Sequence, residues 1–168
     1  MSNRVHHVCT FTFDGRQLAF LWFTNERDGV EESVPGQIRV FASADGARAW
    51  GLKAGLVVSS DAPTSYNLDA IAEWCAHPTA TGIECRVFLD VWNLLADLGF
   101  ESNSIFRGAD RRGVAVYDKL FFGNNLPSVT PPSQAYSPTW SDEEVRELAR
   151  VLRLGLAEFR SRLPAAAA

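Results

Sequence analysis

An α+β fold is what this sequence predicts: a single domain whose mainly antiparallel sheet starts with an N-terminal hairpin and packs against about four helices. Three observations carry that prediction. Val5 to Phe13 and Arg16 to Phe23 are apolar-rich segments joined by Asp14-Gly15, the dipeptide of a two-residue type I′ turn. Two later stretches, 81–99 and 141–163, place apolar residues at helical spacing behind capping signals. Finally, 168 residues with 46% hydrophobic and 11% aromatic content are enough to bury one core, with no linker dividing it. The predicted domain spans 1–164 and is followed by a disordered alanine tail, 165–168.

The Asp14-Gly15 turn sets the hairpin register. With Phe13 opposite Arg16, one face carries Phe11 with Leu18, Cys9 with Phe20 and His7 with Trp22, and this face is expected to meet the core. Leu21 and Phe23 make the second strand apolar on both sides, which predicts a central place in the sheet. Asn25 to Pro35 breaks the pattern and reads as a mobile acidic connection, and Gln37 to Phe41 as a third strand. Ser43 caps a short helix through Lys53, Gly55 closes it in the left-handed conformation, and Leu56 to Ser59 resumes as a strand.

After the Asp61-Ala-Pro63 turn, Asn67 is expected to cap a helix carrying Leu68, Ile71, Trp74 and Cys75, which Pro78 ends. Thr81 with Glu84 reads as a capping box before a longer helix. Its inward stripe is Ile83, Val87, Val91, Leu94, Leu95 and Leu98, widened by Phe88 and Trp92, and Gly99 is its stop. Arg107, Arg111 and Arg112 surround a predicted turn at Gly113, with Val114 to Tyr117 following as a strand. Tyr117 to Trp140 reads as an ordered aromatic strap stiffened by Pro127, Pro131, Pro132 and Pro138. The last helix starts with a capping box of Ser141 and Glu144, stapled by Trp140 onto Val145, and repeats Leu148, Leu152, Leu156, Phe159 and Leu163.

Composition narrows the function classes. A net charge of −4 argues against a nucleic-acid binder and for a basic partner. Met1 to His7 lacks the apolar core of a secretion signal, and no run reaches the ~20 apolar residues that span a bilayer, so a cytoplasmic protein without membrane contact is expected. Cys9, Cys75 and Cys85, with His6, His7 and His77, show neither Cys-x-x-Cys nor His-x-x-x-His spacing; ordinary packing is expected, with no metal and no cofactor. His6 and His7 point to opposite faces of a strand and cannot share a small ligand without a bulge. Cys85 follows Glu84 near a helix amino terminus, a place that lowers a thiol pKa, but it is expected to lie past the first residues, and no His is close in sequence to make it a nucleophile. Gly123, Asn124 and Asn125 suit a turn that bonds the strap's own backbone.

Trp92-Asn-Leu-Leu-Ala-Asp97, Tyr117-Asp-Lys-Leu-Phe-Phe-Gly-Asn-Asn-Leu-Pro127 and Tyr136-Ser-Pro-Thr-Trp-Ser141 together resemble small bacterial immunity-type proteins associated with contact-dependent growth inhibition toxins. The resemblance covers mainly the second half of the chain. It implies a non-enzymatic protein that binds the toxin domain of a sister cell and covers its active site, and it assigns no binding residue. Separately, charge places the expected partner-binding surface on Glu26, Asp28, Glu31 and Glu32, with Asp61 from the neighbouring turn, facing a basic toxin domain. The competing class is a small enzyme or ligand-binding domain, in which Tyr117, Phe122 and Trp140 line a cleft closed by Asp118, Lys119 and Asn125.

Overall fold

The structure, a computed structural model, describes residues 4–26, 28–99 and 111–165. The fold class is α+β. It divides into two compact units, one of Met1–Asp69 with Glu158–Ala168 and one of Ala70–Ala157.

The first unit is built on β1 (Val5–Phe13) and β2 (Arg16–Thr24), paired in the register the turn predicts, from Phe13 with Arg16 to Val5 with Thr24. Asp14 and Gly15 both take positive φ, 52° and 68°, the pair a type I′ turn needs. Asp69 secures the turn by accepting the Asp14 amide at 2.7 Å and the Gly15 amide at 3.1 Å. Arg160 adds two bonds to the Asp14 carboxylate, at 2.8 and 2.7 Å. That guanidinium holds the Asp14 carboxyl below the usual carboxylate range.

The acidic connection is more ordered than its composition suggests. It contains β3 (Gly29–Val30), which pairs with β2, and β4 (Glu32–Val34). The third strand is two strands, because the chain changes partner at Arg39: β5 (Gln37–Ile38) pairs with β4, and β6 (Val40–Phe41) pairs with β2. The Arg39 amide between them is taken by the Glu31 carbonyl at 2.8 Å. Period-2 patterning reports face, not partner, so it cannot reveal this switch.

Helix α1 (Ala44–Lys53) has Ser43 at its N-cap, with the Gly46 amide donating to the hydroxyl at 3.1 Å, and Gly55 follows at φ 76°. β7 (Val57–Val58) and β8 (Thr64–Asn67) both run parallel to β1, so the sheet is mixed, in the order β3-β2-β1-β7 with β6 beside β2 and β8 beside β1. Central β2 matches its two-sided apolar pattern. Val8, Ala19, Leu21 and Ala47 form a core with Trp50, Phe41 and Val58 packed against it, so α1 covers one sheet face. On the other, Phe11 and Phe13 meet Phe159 edge-on, at 5.1 and 5.9 Å.

β8 is a strand the sequence reading missed; Thr64-Ser65-Tyr66 is polar and reads as loop, and pairing with β1 makes it extended. α2 (Leu68–Ala76) starts directly after it.

The second unit is helical. α3 (Cys85–Gly99) begins later than the predicted capping box, because Ala80–Gly82 form a 3₁₀ turn and the Phe88 amide bonds to the Glu84 carbonyl at 3.0 Å. Packing explains the delay. Trp74 donates its indole N–H to the Thr79 carbonyl at 3.0 Å, and Gly82 lies so close to that ring that a Cβ would meet it at 2.9 Å. Phe88, Leu89, Val91, Trp92, Leu94, Leu95 and Leu98 are buried, whereas Val87, expected in the stripe, is 38% exposed.

The predicted strand Val114 to Tyr117 is instead part of helix α4 (Arg111–Gly123), which also absorbs the predicted turn at Gly113 and the first residues of the strap. Val116 and Leu120 are buried at i, i+4 spacing while Val114 is 45% exposed, a helical stripe where the short apolar run looked like alternation. Tyr117 packs its ring on Trp92 and donates its hydroxyl to Asn93 at 3.1 Å, tying α4 to α3. Arg107 and Ala166 to Ala168 lie outside the described residues.

α5 (Asp142–Ser161) starts with the predicted box: the Ser141 amide bonds to Glu144 at 2.9 Å and the Glu144 amide to the Ser141 hydroxyl at 3.3 Å. Arg153 of α5 donates Nε and Nη2 to the Cys75 carbonyl, at 3.1 and 2.6 Å, supplying a cation at the last turn of α2. Among the described residues, no helix is long and apolar enough to cross a membrane.

Candidate functional site

The five carboxylates singled out from sequence do not form one cluster. Glu26 and Asp28 are exposed in the connection between β2 and β3, and Glu32 is exposed on β4. Among the described residues none of these three side chains has an ion-pair partner. Glu31 differs. Its Oε1 lies 2.9 Å from Nε2 of His6, which is 2% exposed, while Nδ1 of that ring lies 3.3 Å from the Val57 carbonyl. Glu31 is therefore bound inward, and removing it would leave a buried imidazole nitrogen unpaired.

Asp61 lies between β7 and β8, along the outer edge of β1, whereas Glu26 and Asp28 lie beyond β2. Two central strands separate them. Its carboxylate accepts the Ser59 hydroxyl at 2.7 Å, and Arg48 of α1 donates to the Ser59 and Asp61 carbonyls, so the turn is held to its own unit. The exposed carboxylates that remain of the five are Glu26, Asp28 and Glu32. The inward turn of Glu31 has no sequence signal beyond a histidine on a strand.

His6 and His7 do face opposite sides, His7 packing on Trp22 at 5.6 Å. Among the described residues, no three His, Cys, Asp or Glu side chains gather as a metal site. Burial pushes the Cys9 thiol up to about 12 and the Cys75 thiol up to about 11. Cys85 is the first residue of α3 rather than lying past its first residues as expected, and its thiol is also raised by burial, which outweighs the backbone hydrogen bond that lowers it. A disulfide reagent at pH 8 should therefore find at most one fast thiol in the native chain, and three after unfolding in urea. Two or more fast native thiols would contradict this burial pattern.

The strap is fastened by side chains. Asn125, at φ 51°, donates to the Gly123 and Tyr136 carbonyls at 2.9 and 2.8 Å and accepts the Tyr136 amide at 2.6 Å. This is the backbone-bonding role expected of it. Lys119 donates to the Thr139 carbonyl at 2.9 Å and pairs with Glu144 at 2.6 Å. Burial alone would raise the Glu144 carboxyl, but the bonds from Lys119 and Ser141 outweigh it and hold it below its ordinary value.

A groove does open between α4 and the strap, lined by Asp118, Lys119, Phe122, Val129, Pro131 and Tyr136 among others. Of the cleft residues named from sequence, Asp118, Lys119 and Phe122 line it, while Tyr117 is turned to α3 and neither Trp140 nor Asn125 is part of the lining. Val129 and Tyr136 carry no local signal, because nothing in the sequence marks a loop residue as facing a helix that ended several residues earlier.

No protein-family model matches this chain, and a comparison with curated proteins finds no match. Among solved structures it is similar to one described as the crystal structure of the SatS C-terminal domain in complex with bromine, at 16% identity over 96% of this chain and 93% of that chain, with a TM-score of 0.49. At that identity and score the likeness assigns no function.

Proposed function

We propose that this chain is a non-catalytic inhibitor, an immunity-type protein that acts in the cytoplasm by binding a basic toxin domain and covering its active site. The supporting observation is a short acidic stretch of chain: Glu26, Asp28 and Glu32 are each exposed, and each is without an ion-pair partner among the described residues. A toxin domain that holds nucleic acid needs Lys and Arg to neutralise phosphate. Carboxylates on a sheet-supported connection offer those cations a competing anion, and long-range attraction accelerates encounter.

The test is co-expression with the product of the adjacent gene, followed by co-purification and growth protection. Expected is a stoichiometric complex whose association slows about tenfold at low salt when Glu26, Asp28 and Glu32 are all changed to Lys. Glu31 stays unchanged in that variant, because its bond to His6 would confuse folding with binding. An unaltered association rate at low salt places the interface elsewhere, and failure of the wild-type chain to co-purify removes support for the inhibitor reading.

A further inference from the structure

The groove between α4 and the strap has a volume of about 450 Å³ and a mixed lining whose charges are unequal in availability. Lys119 is already committed to Glu144 and the Thr139 carbonyl. Asp118 is exposed, and its carboxylate has no hydrogen-bond or ion-pair partner among the described residues. The groove thus offers one uncompensated negative charge. Around it stand apolar surfaces that remain in water: Phe122 is 48%, Val129 49% and Tyr136 40% exposed. Large side chains left this open on adjoining elements are the composition of an interaction surface.

Its walls are set in advance. Asn125 fastens Tyr136 to the end of α4, and Lys119 fastens Thr139 to its middle, so bonds within the chain hold the strap against the helix. Little ordering is then required on binding. The groove is more open than enclosed, which suits a segment of chain better than a small molecule needing most of its surface covered.

We infer that this groove docks a short peptide segment of a partner protein carrying an arginine or lysine flanked by apolar residues. The cation pairs with Asp118, its stem and the flanking side chains lie on Phe122, Val129 and Tyr136, and a guanidinium can stack on the aromatic faces. The inference rests on reading the chain as a binding protein, and it does not depend on the Glu26 to Glu32 face or on the partner's being a toxin.

Three fluorescein-labelled pentapeptides of alternating leucine and a second residue test it by fluorescence anisotropy and by amide chemical-shift mapping. The second residue is arginine, glutamine or glutamate. The arginine peptide should bind best and the glutamate peptide worst, with shifts at Asp118, Phe122, Val129 and Tyr136. Asp118→Asn should weaken the arginine peptide by about three- to fivefold and leave the glutamine peptide unchanged. Tyr136→Ala should weaken both. Equal binding of all three peptides, shifts confined to other residues, or agmatine alone binding as well as the arginine peptide would each overturn the proposal. The two readings fail separately: the Glu26, Asp28 and Glu32 triple-Lys variant should keep its peptide binding whether or not a toxin co-purifies.

Discussion

Phe159→Ala should be among the most destabilising single substitutions in this protein, lowering the free energy of unfolding by about 3–5 kcal/mol in urea titrations. Phe159 has no exposed surface, and its ring meets Phe11 at 5.1 Å and Phe13 at 5.9 Å, both edge to face. Truncation therefore removes burial and two oriented aromatic contacts, the latter adding about 0.5–1.5 kcal/mol each. The cavity would be walled by strands fixed in a paired sheet, which limits collapse. A loss under about 1 kcal/mol would mean that the last turn of α5 is dispensable to the sheet.

Gly123→Ala should be the second large effect, and its sign is the informative part. Helix propensity alone favours alanine, by less than the roughly 1 kcal/mol of a helix interior because Gly123 is the last residue of α4. Against that, a Cβ at this position would lie 2.5 Å from the Cys85 sulfur and about 3 Å from Pro138. Relieving the overlap means moving the start of α3 or the strap, so a net loss of about 1–3 kcal/mol is expected. Cys85→Ala in the same chain should recover most of it, since it removes the closest atom. If Gly123→Ala alone stabilises the protein, the sulfur has room to turn away and the close approach is not a constraint.

Several features of this fold can be read without coordinates, because each is decided by neighbours in sequence. The Asp14-Gly15 turn sets nine residue pairs of β1 and β2, and Ser141 with Glu144 sets the start of α5. Errors arise where a distant partner decides. Val114 to Tyr117 alternates over too few residues to separate strand from helix, and burial of Val116 and Leu120 settles it as helix. Thr81 and Glu84 have the spacing of a capping box, yet the seat of Gly82 against Trp74 makes that segment a 3₁₀ turn. The acidic stretch was legible as composition; that Glu31 turns inward to His6 and Asp61 lies across the sheet was not, since neither follows from local spacing.

The first unit is discontinuous: Phe159, Arg160 and Arg162, from the end of the chain, bind to a sheet and turns whose residues all precede Ala70. Arg160 reaches back to Asp14, and the Arg162 carbonyl accepts the Ile38 amide at 2.8 Å. During translation the hairpin can pair as soon as it leaves the ribosome, but its aromatic face waits for the whole of Ala70 to Ala157 to be made before Phe159 arrives. For that interval Phe11 and Phe13 lack their covering ring, a window in which a nascent chain is open to chaperones and to self-association. The helical unit, contiguous in sequence, has no such wait, so on the ribosome its assembly can precede completion of the sheet that comes before it in the chain.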